Sequence, residues 1–247
     1  MTIIAGFRCK DGILICADRE ESVGTSKKDA EKLFLLHASP WNMTVATAGH
    51  SGLCDLAVKR LIQAFLRAAM VPGVDMDKLE EQHEQIIIDV LTKIHEDHIW
   101  KNPKSEDYRI RLIVGLSFLP QQTQHLYLTQ DNIPQPISRY CCEGYGADLC
   151  TYFSERLYRD DLNLHEIILL AAFIFREVND TVQFCGGGTD MTFLRPGALG
   201  THISPQGFNE IQREIPEFAD VTKDFWESTA NLPGWVGAIG AKLHIVS

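Results

Sequence analysis

The 247-residue chain carries 45% hydrophobic and 23% charged residues, enough to bury a full core within the size range of one large domain, so 1–247 is read as a single domain. Its 33 acidic against 23 basic residues leave a formal net charge of -10, which repels nucleic-acid phosphates and anionic lipid and argues against both as partners. The seven cysteines, odd in number and mostly set in apolar runs, point to free thiols in a reducing cytoplasm. No basic-then-apolar leader opens the chain, and its longest apolar run, residues 167–175, falls far short of the roughly twenty that span a bilayer.

Residues 2–9 and 13–18 are β-branched, apolar runs parted by Lys10-Asp11-Gly12, a hairpin signature in which Gly12 takes the left-handed conformation. A three-residue loop pairs Cys9 with Ile13 and sets Thr2 and Asp18 on one sheet face; a two-residue loop sets them on opposite faces. The first register also gathers Ile3, Ala5, Phe7, Ile13, Ile15 and Ala17 on the other face, and it is the one expected. Strands follow near 32–37 and 43–48. Ser51 is the expected N-cap of a helix over 52–70, in which Leu53, Ala57, Leu61, Ala64, Phe65 and Ala68 recur at helical spacing. A second helix over 77–100 carries Leu79, Ile87, Val90, Leu91 and Ile94 on its apolar face.

Strands return near 109–118, 124–129 and 137–141, before a short helix near 147–158. Asn163 and Glu166 form a capping box for a helix that is apolar almost all round through Phe175, which marks it as buried on more than one side. A strand over 189–195, a helix near 206–213, a glycine-containing loop around 234–240 and a last strand at 242–246 complete the order. So many strands apolar on both faces require a cover on each side, and the fold expected is α+β, a four-layer αββα sandwich.

Thr2 directly follows Met1, and a side chain this small at the second position favours trimming of the methionine. A terminal threonine joins a hydroxyl nucleophile to an α-amine whose ordinary pKa of about 7.7–8.0 suits it to act as the base. Asp18 ends the second strand at the same edge. Lys32 opens the next strand; beside a carboxylate its ammonium keeps its charge and lowers the cost of an alkoxide. Gly49, between a strand and a helix, lets its N–H approach a developing oxyanion.

Taken together, these segments resemble the β-type subunits of the proteasome and the peptidase of the related bacterial ATP-dependent protease. The stretch from Thr2 through Lys10-Asp11-Gly12 to Asp18 matches the family's opening without a gap, Lys32-Leu33-Phe34 matches its catalytic lysine after a shorter turn, and the strand from Met43 to Gly49 matches the one that ends in its oxyanion glycine. The likeness is strongest over 2–70 and continues to about 195. It implies an N-terminal nucleophile (Ntn) hydrolase fold, amide-bond hydrolysis through an acyl-enzyme and homo-oligomeric rings that enclose the active sites; polypeptide substrates are expected with no cofactor or metal, and whether an ATP-dependent unfoldase is a partner is left open by the sequence. It also places Glu21, Ala30, Thr47, Ser51 and Asp55 at the first specificity pocket, where two acids attract a basic side chain.

The second half departs from the family pattern. Tyr145, between Gly144 and Gly146, stands where the family has the serine that supports the terminal amine. Cys185 stands where the family has a serine before two glycines, and Val182 occupies the position of its auxiliary aspartate, with Asp180 two residues earlier as the alternative. These changes keep two other readings open: a catalytically silent assembly subunit and an amidase for small non-peptide amides. His95-Glu96-Asp97-His98 lacks the spacing of a zinc helix and reads as a solvated face, and Gly186-Gly187-Gly188 lacks the residues of a phosphate loop and reads as a close-packed turn.

Overall fold

A computed structural model describes residues 2–23, 26–38, 40–70, 76–101, 108–213 and 215. Among the described residues twelve strands run in chain order: β1 (Ile3–Cys9), β2 (Gly12–Asp18), β3 (Glu20–Val23), β4 (Ser26–Asp29), β5 (Leu33–Ala38), β6 (Trp41–Gly49), β7 (Ile110–Phe118), β8 (Thr123–Gln130), β9 (Ile133–Pro136), β10 (Tyr140–Gly144), β11 (Thr189–Leu194) and β12 (Thr201–Ile203). The helices are α1 (Ser51–Ala69), α2 (Met76–Ile94), α3 (Ala147–Leu157), α4 (Leu164–Thr181) and α5 (Pro205–Arg213). Residues Met1–Gln212 make one compact unit; Arg213–Ser247 make a second, in which only Arg213 and Ile215 are described. The loop and strand expected at 234–240 and 242–246 lie outside the described residues.

In the first unit one five-stranded sheet has the order β10-β1-β2-β11-β12 and the other β5-β6-β7-β8-β9. Their facing sides share one core, in which Ile4, Ile13, Ile15 and Ala17 meet Leu33, Ala46, Ala48, Ile113 and Leu126. Gly6 and Gly115 let the sheets approach: a Cβ on Gly6 would stand 2.9 Å from the Ile113 side chain, and one on Gly115 2.7 Å from that of Ile15. The outer side of the second sheet, through Trp41, Met43, Val45, Leu112, Val114 and Leu116, is covered by α1 and α2. α3 and α4 cover the first sheet over β1 and β2. This is the expected α+β arrangement of four layers, αββα.

The first hairpin has the other register. Cys9 pairs with Gly12, Arg8 with Ile13 and Ile4 with Ala17, so the loop has two residues and Ile4, Ile13, Ile15 and Ala17 share the inner face. Ile3, Ala5 and Phe7 turn instead to the opposite side with Leu14 and Cys16. Both faces of both strands are apolar because both are covered, so side-chain polarity could not select a register. Gly12 is required by a neighbour rather than by the turn: a Cβ there would lie 2.1 Å from the carbonyl oxygen of Leu194 on β11.

Three further differences are local. The N-cap of α1 is His50, with Ser51 its first helical residue. α2 continues into a π-helical turn, His95–Ile99, that rotates His95 inward to 2% exposure, so this histidine is buried rather than solvated. β3, β4, β9 and β12 were not expected. β3 and β4 are highly charged, β9 carries Pro134 and Pro136 at a sheet edge where a missing N–H is tolerated, and β12 has three residues. The capping box of α4 forms as expected, with Asn163 Oδ1 accepting from Glu166 N at 3.1 Å and Glu166 Oε2 accepting from Asn163 N at 2.8 Å.

Candidate active site

Thr2 lies one residue before β1, free of strand alternation, and is 5% exposed. That freedom matters, because in the observed register it is Ile3, not Thr2, that stands opposite Asp18; the Ile3 N–H donates to Asp18 Oδ1 at 3.0 Å. The Thr2 hydroxyl donates to the same oxygen. Lys32, just ahead of β5, donates from Nζ to Thr2 Oγ1 at 2.7 Å, to Asp18 Oδ1 at 2.8 Å and to the carbonyl of Glu20. Asp18 is fully buried, and its second oxygen accepts from the Gly186 N–H at 3.2 Å. A hydroxyl thus accepts from an ammonium and donates to a carboxylate at the junction of the two sheets. Burial of the three groups is compensated by pairing them with one another.

Backbone bonds fix the lysine. The Lys32 carbonyl accepts from Thr47 N at 2.9 Å, which ties the residue to β6. Alternation along β6 sends the Gly49 N–H to the same side as that of Thr47, toward the chain leading into β5, while the His50 N–H turns the other way to bond Arg109 O at 2.8 Å. Gly49 has φ +118, and a Cβ on it would lie 2.1 Å from Arg109 O, so only glycine fits at this strand end.

The turn between β10 and α3 holds Thr2 from the other side. Tyr145 N donates to the Thr2 carbonyl at 2.7 Å, and Gly144, at φ +101, leaves room for that carbonyl, which would stand 2.2 Å from a Cβ. The Tyr145 side chain is 60% exposed and meets Phe184 edge-on, with ring centroids 6.3 Å apart. Cys185 is buried; burial first, and then the nearby Asp18 carboxylate, push its thiol up to about 12. Asp180 is exposed on the last turn of α4, and Val182 is the C-cap of that helix. The neighbouring Asn179 is the residue that reaches β11, donating to Thr189 Oγ1 at 3.4 Å.

A cleft of about 650 Å³ opens between α1 and the start of β5. Glu21, Ala30, Ser51 and Asp55 line it, with Glu31 and Lys59 adding charge and Phe34, Val58 and Ile62 an apolar floor. Thr47 is not part of the lining; it is buried against the Lys32 carbonyl. The cleft is one residue from the Thr2–Asp18–Lys32 cluster along each of two stretches of chain, through Ala30-Glu31-Lys32 and Glu20-Glu21.

Several contributors escaped the sequence reading. Arg19 binds Asp29 and Asp190, each at 2.7 Å, and its N–H donates to the Gly186 and Gly188 carbonyls. The two carboxylates raise its pKa. Glu20 is buried, and its Oε2 is paired with Lys27 Nζ at 2.9 Å. The legible signal was the triple glycine: Gly186, Gly187 and Gly188 all have positive φ, which lets this turn press against Arg19 and Glu20. Among the described residues no group of three or more His, Cys, Asp or Glu is placed to hold a metal ion, and no helix is long and apolar enough to cross a membrane.

A family profile described as "Proteasome subunit" matches residues 2–194. No curated protein matches the chain. Similar solved structures include a Gly-1 mutant of Anbu from Hyphomicrobium sp. strain MC1, with TM-score 0.72 at 13% identity over 92% of this chain and 97% of that one. Anbu (ancestral beta-subunit) from Yersinia bercovieri aligns with TM-score 0.69 at 14% identity over 94% and 98%, and the helical assembly of the Anbu complex from Pseudomonas aeruginosa with 0.71 at 14% over 94% and 98%. At these identities the likeness establishes a shared fold, the Ntn type.

Proposed function

The chain belongs to the proteasome subunit family, and from that premise we propose that it is a threonine-type Ntn hydrolase that cleaves peptide bonds, with Thr2 as nucleophile once Met1 is removed. The observation that carries this reading is Lys32 Nζ at 2.7 Å from Thr2 Oγ1 and 2.8 Å from Asp18 Oδ1. Thr2 Oγ1 attacks the amide carbon while the freed α-amine takes its proton. The carbonyl oxygen becomes an oxyanion that accepts from Gly49 N–H, and the ammonium of Lys32, held by Asp18, favours the alkoxide. Collapse breaks the C–N bond, the amine passes its proton to the leaving nitrogen, and water then hydrolyses the ester by the same route in reverse.

The cleft supports a preference for a basic side chain before the cut, since Glu21, Glu31 and Asp55 line it against Lys59 alone. We also propose a homo-oligomer working in a reducing cytoplasm, in keeping with the seven free thiols. The Pseudomonas aeruginosa relative is described as a helical assembly, so an open stack stands beside a ring as the form to test by light scattering. A closed ring would need an ATP-dependent unfoldase to supply extended chains, and an open stack would not.

Intact-mass measurement joined to labelling with a peptidyl epoxyketone tests the enzyme. The expected result is loss of Met1 and one adduct per chain, abolished in Thr2→Ala; retained Met1 with no adduct overturns it. The outward turn of the Tyr145 phenol supports a second reading, a catalytically silent assembly subunit, and that second result would favour it. Cleavage of small amides with no turnover of peptides would select the amidase instead.

A further inference from the structure

The residue after the proposed oxyanion donor caps α1 in an uncommon way. Helix N-caps are usually Ser, Thr, Asp or Asn, whose side-chain oxygen accepts from an N–H of the first turn. Here His50 does so with a ring nitrogen: Nδ1 accepts from Leu53 N at 3.3 Å, while the His50 carbonyl accepts from Cys54 N at 2.9 Å. An imidazole nitrogen can accept only while it carries no proton, so the cap places the single ring proton on Nε2. A second proton would turn Nδ1 into a donor aimed at another donor. It would also set a cation at the positive end of a helix whose first turn holds no acidic residue.

The same residue is tied at two more points. Its N–H bonds Arg109 O at 2.8 Å, and its ring lies nearly flat on Tyr108, with centroids 5.2 Å apart and planes 15° from parallel. Gly49 immediately precedes it at the last rung of β6, paired with Ile110, with no side chain of its own to hold it and a φ of +118. The charged and titratable groups on the elements meeting here include Tyr108 and Arg109, ahead of β7, Arg111 on β7 opposite Ala48, and Cys54, Asp55, Lys59 and Arg60 on the first turns of α1.

We propose that His50 is a positioning residue: in its neutral form the cap it gives α1 holds Gly49 with its N–H directed at the oxyanion, and protonation of the ring releases that N–H. The proposal rests on the reading of Thr2 as nucleophile and Gly49 as oxyanion donor. Because the terminal amine titrates as well, the informative quantity is the ratio of wild-type to His50→Asn rates, in which the amine's contribution cancels. Asparagine caps well and does not titrate.

The experiment measures the rate of peptidyl epoxyketone labelling from about pH 8 to about pH 5 for wild type, His50→Asn and His50→Ala, together with the thermal midpoint of each. Expected are near-equal rates for wild type and His50→Asn at the alkaline end, and a ratio that falls about tenfold on acidification. His50→Ala should be about tenfold slow throughout, with its fold retained. A ratio that stays flat, or a His50→Ala as fast as wild type, overturns the role of His50 while leaving Thr2 as nucleophile. If wild type takes no label at any pH, the hydrolase reading has failed instead. The midpoints then decide the cap: a difference between wild type and His50→Asn that widens with acid supports the neutral-ring cap, and a constant difference overturns it.

Discussion

Lys32 and Asp18 form a pair, Nζ to Oδ1 at 2.8 Å, in which the carboxylate is fully buried and the lysine side chain nearly so. Removing one member of such a pair strands the other in a low-dielectric interior. Lys32→Met should therefore lose stability by about 3–5 kcal/mol along with all epoxyketone labelling. A urea midpoint equal to that of wild type would show that the pair is not what holds the two sheets at this edge.

Gly144 gives way to the carbonyl of Thr2, which would lie 2.2 Å from any Cβ, and its φ is +101. Gly144→Ala must therefore shift either the turn or Thr2. The expected cost is about 1–3 kcal/mol, with labelling slowed more than stability alone explains. Calorimetry and labelling of the same preparation separate the two effects, and a fully active, fully stable variant would rule out the close approach.

Charge in the cleft predicts selectivity. Glu21→Gln with Asp55→Asn removes two of the three carboxylates facing Lys59. For peptides with Arg or Lys before the cut, kcat/KM should fall about tenfold, the effect of roughly one modest charge interaction per site, while leucine peptides change little. Equal losses for both peptide classes would mean that the carboxylates act on structure rather than on substrate.

His83 should contribute to a loss of stability in acid. Its Nδ1 donates to the Glu80 carbonyl, so Nε2 is the acceptor for the Tyr127 hydroxyl at 2.6 Å, and the ring is neutral. Burial lowers its pKa below the ordinary 6.5. A group with a depressed folded-state pKa leaves the unfolded chain binding more protons, so stability is full above about 6.5 and is lost as pH falls through the folded value. Denaturant midpoints taken downward from pH 7.5 should decline more steeply for wild type than for His83→Gln. Parallel slopes would assign the acid sensitivity elsewhere.

Cys185 should be inert. With its thiol pushed up to about 12 by burial and by Asp18, almost none is thiolate at pH 8, and alkylation needs the thiolate. Maleimide treatment of native protein followed by peptide mapping should leave Cys185 unmodified, with modification appearing after unfolding. Rapid native labelling at this position would show that the turn around it opens.

The sequence alone carried the layers and the ends of most elements, since these depend on local signals. The 3.6-residue period of Leu53, Ala57, Leu61 and Phe65 becomes the buried face of α1, and the Asn163–Glu166 box forms where it was expected. The opening segment was legible in the same way: Thr2, Asp18 and Lys32 lie within 32 residues of one another and converge at one edge.

Only the tertiary structure decided how they converge. The three-residue register is the one expected because it gathers an apolar face and sets Thr2 and Asp18 on a common side, but both faces of β1 and β2 are covered and apolar, so that signal does not decide between registers. In the observed register Thr2 and Asp18 meet because Thr2 stands outside the strand. β3 and β4 have no apolar pattern and pair only with each other; their ends are fixed where the glycine turn at 186–188 reaches Arg19. Hydrogen bonds between residues some 170 positions apart, such as Gly186 N–H to Asp18, leave no period or spacing in a sequence. They exist only after the chain has folded, and they complete the site.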